Sequence, residues 1–383
     1  MKSKLEELIE KLCPNGVEYR ELGEICNIRN GYTPKKNEKK FWENGTIPWF
    51  KLEDIRLNGN VLKDSVQKVT KDAIKNELFE KDSIIISTTA TIGVLAIIKV
   101  PFICNQQLTV LTPKQKLMIK YLYYYLSNEE EQLLNLANSS GGIKIISNSN
   151  LKQVKIALPP LEIQEEIVRI LDKFTELTTE LTTELILRKQ QYEHYRDKLL
   201  NKAKNIKMVT LDMISENYDS QRKPITSGNR EKGNIPYYGA SGIVDYINDY
   251  IFDGDYLLIS EDGANLLTRV TPIAFSISGK AWVNNHAHVL KFSENITRKY
   301  VETYLNSIDL KLYITGAAQP KLNKKNLNSI KIPLPPLEEQ KRIVEILDRF
   351  DKYINDIKEG LPAEIEMRQK QYEYYRDKLL NFN

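Results

Sequence analysis

The chain of 383 residues carries 55 Lys and Arg against 51 Asp and Glu, a net charge of +4, and 41% of it is hydrophobic. That length gives room for two or three domains, and the mild positive charge permits a nucleic-acid partner without requiring one. No signal peptide and no apolar run of spanning length is read, and Cys13, Cys26 and Cys104 are few, odd in number and unpatterned.

In chain order, residues 1–16 read as a helix stub, with Leu5, Leu8, Ile9 and Leu12 on one side and Cys13-Pro14-Asn15-Gly16 ending it. A first globular segment, 17–157, mixes short strands and turns with one helix. Within it Asp82-Ser-Ile-Ile-Ile-Ser87 reads as a buried strand and Leu117–Leu136 as the helix. A long helical arm follows over 158–204. A second globular segment, 205–332, loosely repeats the first: Asp255-Tyr-Leu-Leu-Ile-Ser260 parallels the strand, and Lys299–Leu312 parallels the helix. Tyr19–Ile25 has its counterpart in Met208–Ile214. Ile103-Cys-Asn-Gln-Gln matches Val283-Asn-Asn-His-Ala, which sets Asn105 against Asn285. Each segment closes with an Asn-Leu pair, Asn150-Leu151 and Asn326-Leu327, ahead of a Pro-Pro. A second arm occupies 333–383.

The two arms are the strongest signal in the chain. LPPLE at Leu158 returns at Leu334, and QYEHYRDKLL at Gln191 returns as QYEYYRDKLL at Gln371, identical at nine of ten positions. Internal repetition of this kind governs how the rest is read. Proline suits the first helical position, where no intrahelical hydrogen bond is lost. Glu162, Glu165 and Glu166 then favour the helix N-terminus, and Arg196 and Lys198 its C-terminus. Apolar residues at 163, 167, 170, 174, 177 and 181 follow the alternating 4-3 spacing of a coiled-coil seam. A helix over Pro160–Leu200 would be about 60 Å long. Inside it Thr-Glu-Leu-Thr occurs at Thr175 and Thr179, then Thr-Glu-Leu at Thr183. The second arm is longer and carries Gly360 and Pro362, where the helix must kink or restart. The expected fold is α+β, with two mixed domains separated by two long antiparallel coiled-coil helices and related by a pseudo-twofold repeat.

These residues resemble the DNA specificity subunit of type I restriction-modification enzymes. The resemblance is carried by both L-P-P-L-E-x-Q openings, both QYE(H/Y)YRDKLL ends and the tetrads. Gly31–Phe50 looks like the start of one target-recognition domain, and Ile235–Ile247, Asp262–Arg269 and Trp282–Leu290 look like another type. The resemblance implies a non-catalytic cytoplasmic subunit whose two domains each read half of a bipartite site in double-stranded DNA. The arms would dock two methyltransferase subunits, and restriction subunits would complete a nuclease. S-adenosylmethionine, Mg and ATP would then belong to those partners, and the tetrads would set the gap between half-sites.

For the first domain, the expected DNA contacts are Lys35, Lys36, Lys39 and Lys40 beside Tyr32, on phosphates, with Arg29, Asn30 and Thr33 within reach of base edges. Lys144 ends a Ser-Ser-Gly-Gly loop, and Gln319 and Lys321 end its counterpart in the second segment. Arg222, Lys223, Arg230 and Lys232 complete the second set. On the arms, Tyr192, Tyr195, Arg196 and Leu199, with Tyr372, Tyr375, Arg376 and Leu379, are expected to pack or dock partners. The leucines are assigned to the seam and the arginines to the partners.

Two other readings stay open on residues alone. One is a coiled-coil scaffold binding two identical proteins. The other is a metal hydrolase using His286 and His288, whose rings would share one side of a strand. Only His194 remains as a third histidine, and no acid or thiol cluster completes a ligand set. No phosphate-binding G-x-x-x-x-G-K-[ST] loop is present. Neither a metal site nor a catalytic residue is expected.

Overall fold

The computed structural model describes residues 3–114, 116–140, 142–202, 206–316, 319–356 and 359–382. Its principal helices are α1 (Lys4–Leu12), α2 (Ile119–Asn128), α3 (Leu161–Lys202), α4 (Asn295–Ser307), α5 (Leu337–Asn355) and α6 (Leu361–Leu380). The chain forms two compact units, one of Met1–Glu180 with Ile365–Asn383, the other of Leu181–Glu364. Each unit therefore takes its globular segment, the start of the arm that follows it, and the QYE(H/Y)YRDKLL end of the other arm.

The first unit is built on a sheet of β1 (Cys26–Asn30), β2 (Val61–Leu62), β3 (Ser83–Ser87), β4 (Leu95–Ile98) and β5 (Leu108–Pro113), ordered β1-β5-β3-β4-β2. The expected strand is its centre. Successive strand residues face opposite sides, so Ile84 and Ile86 pack on Tyr121, Leu122 and Tyr125 of α2, while Ile85 packs with Trp49, Phe50 and Phe102. The expected helix over Leu117–Leu136 is two: α2 stops at Asn128, and a six-residue helix runs Glu130–Asn135. Ser127 and Asn128 are poor interior helix formers, and the Ser127 hydroxyl donates to the Tyr123 carbonyl at 2.8 Å.

The second unit repeats the plan with β6 (Glu216–Asn217), β7 (Tyr256–Ser260), β8 (Ala274–Ile277) and β9 (Ala287–Lys291), ordered β6-β9-β7-β8. Leu257 and Ile259 pack with Tyr300 and Val301 of α4, and Leu258 with Phe252 and Val283 on the opposite side. A two-stranded ribbon ties the ends of each segment together before its arm: Tyr19–Glu21 with Lys155–Ala157, then Met208–Thr210 with Lys331–Pro333. The Asn-Leu pairs lie in short helices, with Leu151 and Leu327 fully buried.

The repeat register corrects one sequence match. The backbone N–H of Asn105 donates to the Phe50 carbonyl at 3.0 Å, and that of Asn284 donates to Tyr238 at the same distance. Each follows a parallel pairing, Phe50 with Cys104 and Tyr238 with Val283. Asn105 therefore corresponds to Asn284, not Asn285. A doubled asparagine in the second copy had hidden the one-residue shift.

The arms are helical, but unequally so. α3 is continuous for 42 residues and begins at Leu161, with both prolines outside it; Pro336 likewise caps α5 rather than opening it. The first three turns of α3 bury a face wider than a coiled-coil seam, Ile163, Ile167, Val168 and Leu171, because the domain core covers them. Beyond that the narrower seam takes over, and Phe174, Leu177 and Leu181 are half-buried. Thr175, Thr178 and Thr179 return their hydroxyls to the carbonyls four residues back, at 2.8–3.0 Å. The second arm restarts at Leu361. There a Cβ on Gly360 would lie 2.6 Å from the Tyr353 carbonyl oxygen, and Pro362 falls in the first turn of α6, where it breaks no hydrogen bond.

Candidate nucleic-acid interface

Strand direction gathers one set of loops in each unit. β1 and β3 run antiparallel to β5, so both end where β5 begins; β6 and β7 stand in the same relation to β9. At this edge lie the segments after β1 and β6, those after β3 and β7, and the turns entering β5 and β9. The loop before Ile146 joins through Ile146 N–H donating to the Thr88 carbonyl (2.9 Å), and that before Leu322 through Leu322 N–H donating to Glu261 (2.7 Å). Most of the expected DNA contacts fall on these segments.

In the first unit, Arg29 and Asn30 are exposed at the end of β1. The Arg29 guanidinium lies 4.9 Å from the Phe79 ring, and Asn30 Oδ1 accepts from Thr109 Oγ1 at 3.0 Å. Thr33 bonds Gln106. The Tyr32 hydroxyl accepts from Lys75 N–H at 3.1 Å and faces inward. Lys35, Lys36, Lys39 and Lys40 are exposed, with Lys39 4.0 Å from Glu43 and Lys40 over the Phe41 ring. Lys144 is exposed on the hairpin strand Ile143–Ile145.

In the second unit the structure divides the expected set. Lys223 and Lys232 are exposed, as are Gln319 and Lys321; Ala317 and Ala318 of the same loop lie outside the described residues. Arg222 and Arg230 are committed inward. Arg222 Nη1 reaches Glu261 at 2.6 Å and the Ala287 carbonyl at 2.8 Å, with Nη2 3.6 Å from Asp219. Arg230 sits 4.4 Å from the Tyr237 ring, pairs with Asp245 at 3.2 Å and donates to the Ile225 carbonyl. By charge alone both arginines look available to DNA, because the acids that hold them lie up to 39 residues away in the chain.

Equivalent positions carry different chemistry. In the first unit Thr88, Thr109 and Asn30 form a neutral chain, Thr88 to Thr109 at 2.9 Å and Thr109 to Asn30 at 3.0 Å. In the second the same three places hold Glu261, His288 and Asp219. His288, 1% exposed, places Nδ1 2.7 Å from Asp219 and Nε2 2.7 Å from the Leu322 carbonyl; both partners are acceptors, so the ring satisfies them when both nitrogens donate. Lys321 adds a contact to Glu261 at 3.1 Å. Burial acts to raise the carboxyls of Asp219 and Glu261, but both are held below the usual range, Asp219 by His288 with the Val289 N–H and Asn217, and Glu261 by Arg222, His288 and Lys321.

The two histidines do not share a strand face. His286 lies in the turn before β9, with Nδ1 2.9 Å from both oxygens of Asp262, whereas His288 is buried. Among the described residues no cluster of three or more metal-ligating side chains occurs. No helix there is long and apolar enough to cross a membrane.

On the arms, Phe174 of α3 stacks on Tyr375 of α6 at 5.3 Å in the first unit, and Tyr195 stacks on Phe350 of α5 at 6.0 Å in the second. Leu199 and Leu379, assigned to the seam, are partly buried against the cores of the second and first units. Arg196 and Arg376 fold back over Tyr192 and Tyr372, each bonded to the adjacent aspartate at 2.9 Å. Burial raises the phenols of Tyr192 and Tyr372.

A family model for the type I restriction modification DNA specificity domain matches residues 14–188 and again 203–367. The Escherichia coli type I restriction enzyme EcoprrI specificity subunit is 38% identical over 365 residues, covering 90% of each chain. The E. coli EcoR124I/EcoR124II specificity subunit is 39% identical over 296 residues, covering 70% of this chain and 72% of that one. The S subunit of a type I restriction-modification system from M. genitalium shares the fold at a TM-score of 0.57 and 18% identity, covering 96% of this chain and 97% of its own. A chain from a study of complex assembly and conformational transition of the type I R-M system gives 0.64 at 19% identity, covering 96% and 98%. With two copies of this domain along most of its length, the chain belongs to the type I restriction-modification DNA specificity family.

Proposed function

We propose that this chain is a non-catalytic DNA reader whose two units each bind one half of a bipartite duplex site, at the sheet edge described above. Lysines at those edges hold phosphates and so set register, while polar side chains between them reach the bases. The exposed faces of the arms dock two methyltransferase subunits, and restriction subunits join that complex in the cytoplasm. S-adenosylmethionine, Mg and ATP are bound by those partners.

One observation carries this reading: two units with the same strand order and the same anchoring hydrogen bonds differ at one edge in the side chains they present. Duplicated frames with divergent edges suit a split site with unlike halves. The experiment replaces residues 206–332 with the corresponding segment of another family member and maps methylated sites in cells. A motif changed in one half supports the reading. Changes in both halves, or methylation that ignores the exchange, overturn it.

A further inference from the structure

We propose that the two-residue turns Gln106-Gln107 and Asn285-His286 are the base-reading tips of the two units, one turn for each half-site. This rests on the DNA reading above and assigns the residues that decide its specificity.

The two turns have the same mount. Each follows a nearly buried asparagine, Asn105 at 9% and Asn284 at 7% exposure, whose backbone N–H is fixed to the neighbouring parallel strand. The side-chain carbonyl of that asparagine then accepts from the backbone N–H two residues on, Gln107 at 3.2 Å and His286 at 2.8 Å. This Asx turn sets the direction of the tip without using the tip side chains. Close packing holds the first mount still: a Cβ on Gly31 would fall 2.2 Å from the Asn105 carbonyl oxygen.

The tips themselves differ, and all four of their residues are exposed between buried neighbours. Gln106, Gln107, Asn285 and His286 are side chains that can read base edges, with Gln and Asn suited to the paired acceptor and donor of adenine in the major groove. Three are oriented in advance. The Gln107 side-chain oxygen accepts from Asn105 Nδ2 at 3.2 Å and that of Gln106 accepts from the Thr33 hydroxyl, which leaves the amide N–H₂ of each as the donor it can offer a base. With Nδ1–H donated to Asp262, Nε2 is the ring atom left to meet a base edge, where its lone pair matches an exocyclic amino group of adenine or cytosine. In the second unit the arginines that could read guanine, Arg222 and Arg230, are held inward by Glu261 and Asp245. A fixed mount bearing a changed tip is what a duplicated reader needs in order to recognise two different half-sites.

The test maps the methylated motif of the complete complex carrying Gln106→Ala or, separately, His286→Ala, with melting temperatures measured alongside. The expected result is relaxation at one position of one half-site, by between roughly fivefold and a hundredfold, with the other half and the melting temperature unchanged. An unchanged motif at the wild-type rate overturns the proposal. So does a uniform loss on all sequences with a shallower salt dependence, which marks a phosphate contact. If a variant melts early, the wild-type complex is assayed on duplexes in which single purines lack N7, which probes Gln106, or single adenines or cytosines lack their amino group, which probes His286. Sensitivity at one position per half that disappears in Gln106→Asn or His286→Asn supports the assignment, and insensitivity throughout overturns it. Wild-type complex that methylates without sequence preference would instead remove the DNA reading beneath it.

Discussion

Asp219→Asn tests whether the charge network of the second unit holds that unit together. Asp219 lies within 2.7 Å of His288 Nδ1 and accepts from Val289 N–H at 2.9 Å; its side chain is 7% exposed. Asparagine retains the Val289 bond but removes the charge facing His288 and Arg222. Breaking a buried ion pair costs roughly 3–5 kcal/mol, and the retained bond places this change near the lower end. With a urea m-value of about 3 kcal/mol per M, the midpoint of the second unit should fall by about 1 M at pH 7. Trp282 is the tryptophan of this unit, beside Lys223, so its ¹⁹F resonance after 5-fluorotryptophan labelling follows this transition. The pH dependence has a definite sign. Asp219 is held below its usual value, so its contribution is present above about pH 4 and lost as pH falls through the lowered value. The gap between wild type and variant should close below that pH. Thr109→Val, at the equivalent place in the first unit, should cost only about 1 kcal/mol with no such closure. A gap under about 1 kcal/mol at pH 7, or one unchanged from pH 7 to pH 3, would refute a stabilising role for the network.

Deleting Thr179–Thr182 removes one tetrad, about 6 Å of α3, and should shorten the unspecified gap by a base pair or so while leaving both half-sites intact; methylation mapping of an active complex reads this directly, and an unchanged gap would make the tetrads filler. Glu166→Gln should lower the melting temperature of the first unit at pH 7. Arg169, followed by Lys4, holds this carboxyl at about 2 against 4.5, so the difference should vanish as pH falls from about 4.5 toward 2. Gly360→Ala should destabilise the α5–α6 junction by about 1–3 kcal/mol, visible in urea unfolding, because its Cβ would meet the Tyr353 carbonyl at 2.6 Å. Arg196→Glu is expected to reduce a complex of two methyltransferase subunits to one on sizing, and two retained subunits would place docking elsewhere on the arm.

Periodicity and repetition made the frame legible. A run such as Ser-Ile-Ile-Ile-Ser reads as a buried strand because both of its faces are apolar, and the two Pro-Pro openings mark the helix starts to within a residue. What sequence could not supply were partnerships over long separations. Arg222 looks like a free cation until Glu261, 39 residues on, is folded beside it. His286 and His288 look paired until the first falls in a turn and the second in a strand. The Asn105 match slipped by one because identity alone ranks two adjacent asparagines equally, whereas only Asn284 has the backbone bond to Tyr238.

The near-identical decapeptides invite the inference that two equal surfaces meet two equal partners, but the fold supplies a competing cause. Tyr192, Leu199 and Leu200 pack into the second unit, and Tyr372, Leu379 and Leu380 into the first. Internal packing on LPPLE helices of the same repeat therefore accounts for likeness at these positions. Arg196 and Arg376 are accounted for in part by the rings beneath them, and Tyr195 and Tyr375 by their stacking on phenylalanines. From the tyrosine onward the two copies share one burial pattern, so the residues that packing leaves unexplained are the exposed ones that still agree. Those are Glu193 with Glu373, Asp197 with Asp377 and Lys198 with Lys378; the one difference, His194 against Tyr374, is exposed as well. The case for a shared partner thus rests on a glutamate, an aspartate and a lysine of each copy. A docking surface that uses the decapeptides should depend on these six residues at least as much as on the arginines.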